Sequence, residues 1–310
     1  MKGGLEILTI CFTGILVVLG FYFLPDISVD VFVPEAQADI ANTSVTVSNV
    51  APTVSGVSLN AGSNITLTEN TTTTVTCVGT LTDNNGGADI TSASSTIYRS
   101  GVGSSCLADD NNCYPIASAN CTLGTVAGND RPATCTADIW FHADPTDSGT
   151  YLAETWMCEI TAIDAGGLTG ASSTPTGVEM NTLLALDVTP TIGYGTLTPG
   201  ETIDPLDRLA VATTTGNAAI DANISGTNMT YGANTIDIGQ QRYATSSVNW
   251  ASTTVNYVAT TTATLLEFVT GKPTAHPSNQ AQNTYWGIAV PSGQPVGDYT
   301  GENTYTVVAD

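Results

Sequence analysis

The stretch Val75 to Ile90, VTCVGTLTDNNGGADI, runs from alternating apolar residues into a loop that holds Asp83, Asn84, Asn85 and Asp89. Carboxylates and amides on a tight loop with glycines are the donor set of a hard cation, because calcium takes about six to eight oxygen ligands. A second run, Asp109, Asp110, Asn111 and Asn112, offers the same groups. Neither follows the EF-hand spacing. Counted from Asp83, the sixth position is Ala88 and the twelfth is Ser94, where that loop needs glycine and glutamate. Calcium at Asp83, Asn85 and Asp89, or at Asp109 and Asp110, is an expectation from ligand chemistry. The plain reading stands beside it, since Asn-Gly and Asp-Asn runs are ordinary turn formers.

Six cysteines follow residue 38: Cys77, Cys106, Cys113, Cys121, Cys135 and Cys158. An even number in an exported chain reads as three disulfides. Cys77 and Cys158 sit on the inward faces of two strand-like segments, which suggests a bridge across the core. Closeness in sequence suggests Cys106 with Cys113 and Cys121 with Cys135. Zinc is disfavoured, as there is no C-x-x-C pair and only His142 and His276 could join the thiols.

Catalytic patterns are missing: no G-x-S-x-G, no H-E-x-x-H and no glycine loop with a lysine for phosphate. His142 in WFHADPTD lies near Asp144, but an exposed histidine at a strand end explains it without a triad. The chain is therefore expected not to be an enzyme. Trp140 and Tyr114 are candidates for ligand contact as part of a sugar-stacking platform. Lys272 is the only lysine beyond Lys2, so at most one lysine-to-asparagine isopeptide link of the kind that hardens some surface fibres could form.

The elements that must position these groups are strands. Beyond residue 40, short alternating runs recur between turn residues, with no long helical period. VTCVGTL places Val75, Cys77, Gly79 and Leu81 on one face, and ETWMCEITAID does the same for Trp156, Cys158, Ile160 and Ala162. Residues 101–136 read as a loop-rich insertion, a place where recognition often resides. The Pro- and Gly-bearing stretch Ser172 to Thr182 marks a boundary, which divides the chain into 39–178 and 179–310.

The N-terminus is apolar from Ile7 to Leu24 and is followed by Ala36-Gln37-Ala38, an A-x-A cleavage pattern. Residues 1–38 are expected to be a secretory signal, cut before Asp39. A retained anchor, touching membrane only through residues 7–24, is the alternative. Those residues hold Glu6, Asp26, Asp30, Glu35 and Lys2, so 24 acids and 5 bases remain after them, a net charge of −19. Such a chain repels phosphate backbones, which excludes nucleic acid as a partner.

SNVAPTVSGVSLNAGSNITL and EITAIDAGGLTG resemble the opening and closing strands of PKD-like or immunoglobulin-like surface domains of bacteria and archaea. DSGTY, Asp147 to Tyr151, is similar to an immunoglobulin tyrosine corner, but the cysteine comes at 158 rather than two residues after the tyrosine. The resemblance implies architecture and location. The expectation is an all-β protein of two tandem antiparallel β-sandwich (Ig-like/PKD-like) domains after an N-terminal apolar helix, secreted or at the cell surface. Its expected role is structural or adhesive, through self-association or contact with surface proteins and glycans. Two further readings stay open: a glycan- or protein-binding module working through residues 101–136, and a secreted hydrolase using carboxylates.

Overall fold

The computed structural model describes residues 41–252 and 257–310, so the leader and its cleavage site lie outside the described residues. Residues 41–47 belong to a unit spanning Met1–Val47, are exposed and carry no regular secondary structure; Ser48–Asp310 forms the second unit. Among the described residues no helix is long and apolar enough to cross a membrane.

The first half of the second unit carries β1 (Thr53–Leu59), β2 (Thr72–Thr82), β3 (Ile90–Arg99), β4 (Cys113–Ile116), β5 (Cys121–Leu123), β6 (Asp130–Trp140), β7 (Trp156–Asp164) and β8 (Thr169–Ser173). They form two antiparallel sheets, ordered β1-β2-β6-β5 and β4-β3-β7-β8. Alternation dictates this arrangement. On β2, Val75, Cys77, Gly79 and Leu81 are buried while their neighbours are partly exposed, and β7 alternates in the same way from Trp156 to Asp164. Gly79 is small for a reason. A side chain there would press on Ile160 of the facing sheet, 3.1 Å from its Cδ1.

Residues 101–136 differ from the loop excursion that their composition suggests. They supply β4, β5 and the start of β6, and so extend both sheets. The polar residues that look loop-like face solvent, while Cys113, Tyr114, Ile116, Ala133 and Cys135 enter the core. The core of this half also continues past residue 178 through Val178 and Met180 to Leu183.

The second half carries β9 (Leu186–Val188), β10 (Arg208–Thr214), β11 (Ile220–Gly226), β12 (Met229–Tyr231), β13 (Asn234–Ile236), β14 (Gln241–Ala244), β15 (Tyr257–Val258), β16 (Thr264–Leu266), β17 (Ala281–Ile288) and β18 (Asn303–Ala309). A five-stranded sheet, β15-β14-β17-β10-β9, a three-stranded sheet, β16-β11-β18, and the β12-β13 hairpin are all antiparallel. Trp286 anchors a second apolar cluster, stacked on Tyr243 at 4.8 Å and donating its indole N–H to the Tyr305 hydroxyl at 2.9 Å.

Three disulfides join Cys77 to Cys158, Cys106 to Cys113 and Cys121 to Cys135. The first ties β2 in one sheet to β7 in the other and closes 81 residues of chain. Such bonds suggest an oxidising, extracellular environment. Replacing Cys77 and Cys158 together by alanine is expected to cost about 2–5 kcal/mol in urea-unfolding stability. The Cys106–Cys113 pair closes only a short surface loop, and its double alanine variant should lose distinctly less.

Candidate metal centre

β7 ends in an aspartate and β2 runs directly into one, each six residues beyond the cysteine of its strand: Asp164 after Cys158, and Asp83 after Cys77. An even offset along a strand keeps the same face, so both carboxylates point inward as the cysteines do. Asp83 and Asp164 are buried, and their carboxylate oxygens and that of the half-buried Asp89 lie within 4.8 Å of one another. Asp89 reaches this point because the intervening loop folds back. Gly86 takes φ +115°, and Gly87 packs where a Cβ would sit 2.7 Å from the Asp130 carbonyl oxygen. The Asp89 N–H bonds the Gly86 carbonyl at 2.9 Å.

Three of the six carboxylate oxygens have protein partners. Asp83 Oδ1 accepts the Asn85 N–H at 2.7 Å, Asp164 Oδ1 accepts the Leu168 N–H at 2.8 Å, and Asp164 Oδ2 accepts the Asn49 side-chain amide at 2.9 Å. Asp83 Oδ2 is buried with no hydrogen-bond partner. A buried carboxylate oxygen left unpaired is costly, and two further acidic groups beside it raise that cost by repulsion. A divalent cation removes both penalties at once. Three carboxylates suit calcium, whose remaining ligands come from backbone carbonyls or water.

Asp83 and Asp89 thus meet here, as their loop suggests, but Asn85 does not join them. Its side-chain oxygen accepts the Val50 N–H at 2.9 Å and its amide donates to the Ser48 carbonyl at 3.3 Å, so it clasps the chain that enters β1. Asn84 is exposed. Asp164 is the member that local reading misses, because it arrives from 81 residues away from Asp83. The shared six-residue offset from a cysteine is the signal that could have found it.

Asp109 and Asp110 gather no third metal-ligating side chain among the described residues. Asp109 accepts the Asn111 N–H and the side-chain amides of Asn111 and Asn112 at 2.9–3.2 Å, so it closes a turn. Partial burial pushes its carboxyl up, and these hydrogen bonds outweigh that effect and hold it below the usual range. Asp110 is exposed. Tyr114 is buried, its hydroxyl donating to the Asp110 carbonyl and accepting the Trp140 N–H at 3.1 Å. Trp140 stacks on His276 at 4.5 Å. These two rings therefore pack against the protein and do not form a bare platform.

His142 is also not the exposed strand-end residue expected of it: it is 1% exposed, edge-on to Phe141, with neither ring nitrogen hydrogen-bonded. Burial, followed by nearby Lys272, lowers its pKa and keeps the imidazole neutral. Asp144 pairs with Arg99 at 3.1 Å and Lys272 at 3.1 Å, so it serves an ion-pair cluster and is not the partner of a histidine base.

Calcium at about a hundred times its dissociation constant is expected to stabilise the protein by about 2.7 kcal/mol, raising Tm by roughly 5–10 °C relative to chelator. Asp83→Asn and Asp164→Asn should each abolish most of that rise, while Asp110→Asn should leave it intact; scanning calorimetry with and without calcium checks all three. The chain matches no known protein-family profile and no curated protein sequence.

Proposed function

We propose that this protein is a non-enzymatic structural component exported to the cell surface or beyond. In this reading two tandem β-sandwich modules, the first braced by disulfides and stiffened by calcium, serve in a wall, appendage or adhesive layer. One observation carries it: Asp83, whose carboxylate clusters with those of Asp89 and Asp164 beside a disulfide-bridged core, keeps a buried Oδ2 with no hydrogen-bond partner among the described residues. A cation held there reacts with nothing. It joins the ends of two strands that belong to opposite sheets, which is a mechanical role.

The three disulfides and the excess of acid support the same reading. Both suit a soluble surface in an oxidising medium with millimolar calcium, where weak sites of this kind are filled.

A second reading, binding of a glycan or partner protein, is favoured by one feature of the second half. A groove of about 740 Å³ is lined by Tyr194, Tyr299, Met229, Gln294 and Asp298 among others. Clefts of this size with a few convergent polar groups are where ligands bind. Negative-stain microscopy of the protein taken from its native cell surface separates the two. Ordered filaments or lattices that loosen on chelation are the expected result, whereas dispersed particles that bind on a glycan array would replace the structural reading with the binding one.

A further inference from the structure

Three side chains from distant parts of the chain meet where the two halves touch. Lys272, in the loop before β17, places its ammonium 2.9 Å from the side-chain oxygen of Asn111 and 3.1 Å from Asp144 Oδ1. Asn111 lies in the loop closed by Cys106–Cys113, and Asp144 follows the end of β6. A primary amine within hydrogen-bond reach of both a carboxamide and a buried carboxylate brings together the reactants and the base of an amide exchange.

The surroundings hold all three in place. The Asn111 amide nitrogen donates to Asp109 Oδ1 at 3.0 Å and to the Thr274 carbonyl at 3.3 Å, so the carboxamide cannot turn away. The backbone fixes the spacing between the amide and the carboxylate, because the Asp144 N–H bonds the Asn111 carbonyl at 2.8 Å. Arg99 grips the other Asp144 oxygen at 3.1 Å and also pairs with Glu154. Burial pushes the Lys272 amine below its usual range, against the opposing pull of Asp144, and so favours the neutral nucleophile. This is also the only lysine beyond Lys2 in a chain with 28 acids. A surface ion pair would not need this lysine tucked between two loops.

We propose that Lys272 and Asn111 become joined by an intramolecular isopeptide bond that the folded chain forms by itself. Asp144 takes a proton from the Lys272 ammonium, and the freed amine attacks Cγ of Asn111. The Nζ–Cγ bond forms, the proton passes to Nδ2, and the Cγ–Nδ2 bond breaks. Ammonia leaves with the remaining proton as ammonium. Nothing is oxidised or reduced and no co-reactant is needed. Holding the groups in contact converts a slow bimolecular reaction into a local one, which is worth a large effective concentration. The product would strap together residues 161 positions apart, one from each half of the molecule. The purpose of such a strap rests on the structural reading above, but its chemistry does not.

The test is the intact mass of the full chain after reduction and denaturation. The expected mass is one ammonia short of the sequence value, with a branched peptide joining residues 111 and 272 and a Lys272 amine that resists acylation. Asn111→Ala and Lys272→Arg should restore the ammonia, or the mass expected of the variant, and Asp144→Asn should slow its loss at least a hundredfold. The calcium-induced rise in Tm should persist in all three, which reports that they fold. A wild-type chain of full mass with an acylatable Lys272 overturns the proposal, as does ammonia loss without the branched peptide. Loss of the calcium response alone would count against the structural reading and leave the bond standing.

Discussion

Two strands in opposite sheets, β2 and β7, are tied by Cys77–Cys158, midway along β2 and near the start of β7, and come together again where β2 runs into Asp83 and β7 ends in Asp164. The disulfide fixes how closely the sheets approach. The carboxylates, six residues or about 20 Å further along the chain, repel one another, and in the proposed reading a cation between them offsets that repulsion. The first half of the molecule depends on this opposition. The bridge holds the core closed at one level, and the proposed cation would hold it closed at the next. Asp89 and the Asn85 clasp on Ser48 and Val50 then link the rim to the chain that enters β1.

The same logic recurs at the junction of the two halves, with different chemistry. There the acid is Asp144, and its charge is met by Arg99 and Lys272. Arg99 also lies over the Tyr151 ring at 3.7 Å, and Trp140 covers His276 at 4.5 Å. Buried charge of this kind adds little net stability, but it is strict about partners, since losing one leaves the others unpaired. DSGTY, which looks like a tyrosine corner, contributes here: Tyr151 sits in a single 3-10 turn and serves Arg99.

How much of this was legible in the sequence depended on range. Alternation along β2 and β7 exposed the buried faces, and those faces pointed to a bridge between Cys77 and Cys158. The loop from Asp83 to Asp89 showed its donors but not which of them converge. Asn85 was diverted to the backbone of the entering chain, and Asp164 came from the opposite sheet. Neither could be read from local spacing, because the pairing of distant strands decides both. Residues 101–136 misled for a related reason. Their many small polar residues suggest a loop, yet the few apolar ones that enter the core are enough to add strands to two sheets. His142 misled because its burial is set by Phe141 and by the loop around Lys272, over a hundred residues away.

The central claim is that Asp83, Asp89 and Asp164 hold a cation that stiffens the bridged core. A crystal structure of the protein grown in millimolar calcium, with anomalous data to identify the ion, tests it most directly. The account predicts one calcium bound by Asp83 Oδ2 and by the carboxylates of Asp89 and Asp164, at about 2.3–2.6 Å. A map with no ion at that point, or with a proton or water bridging the carboxylates in its place, would contradict it.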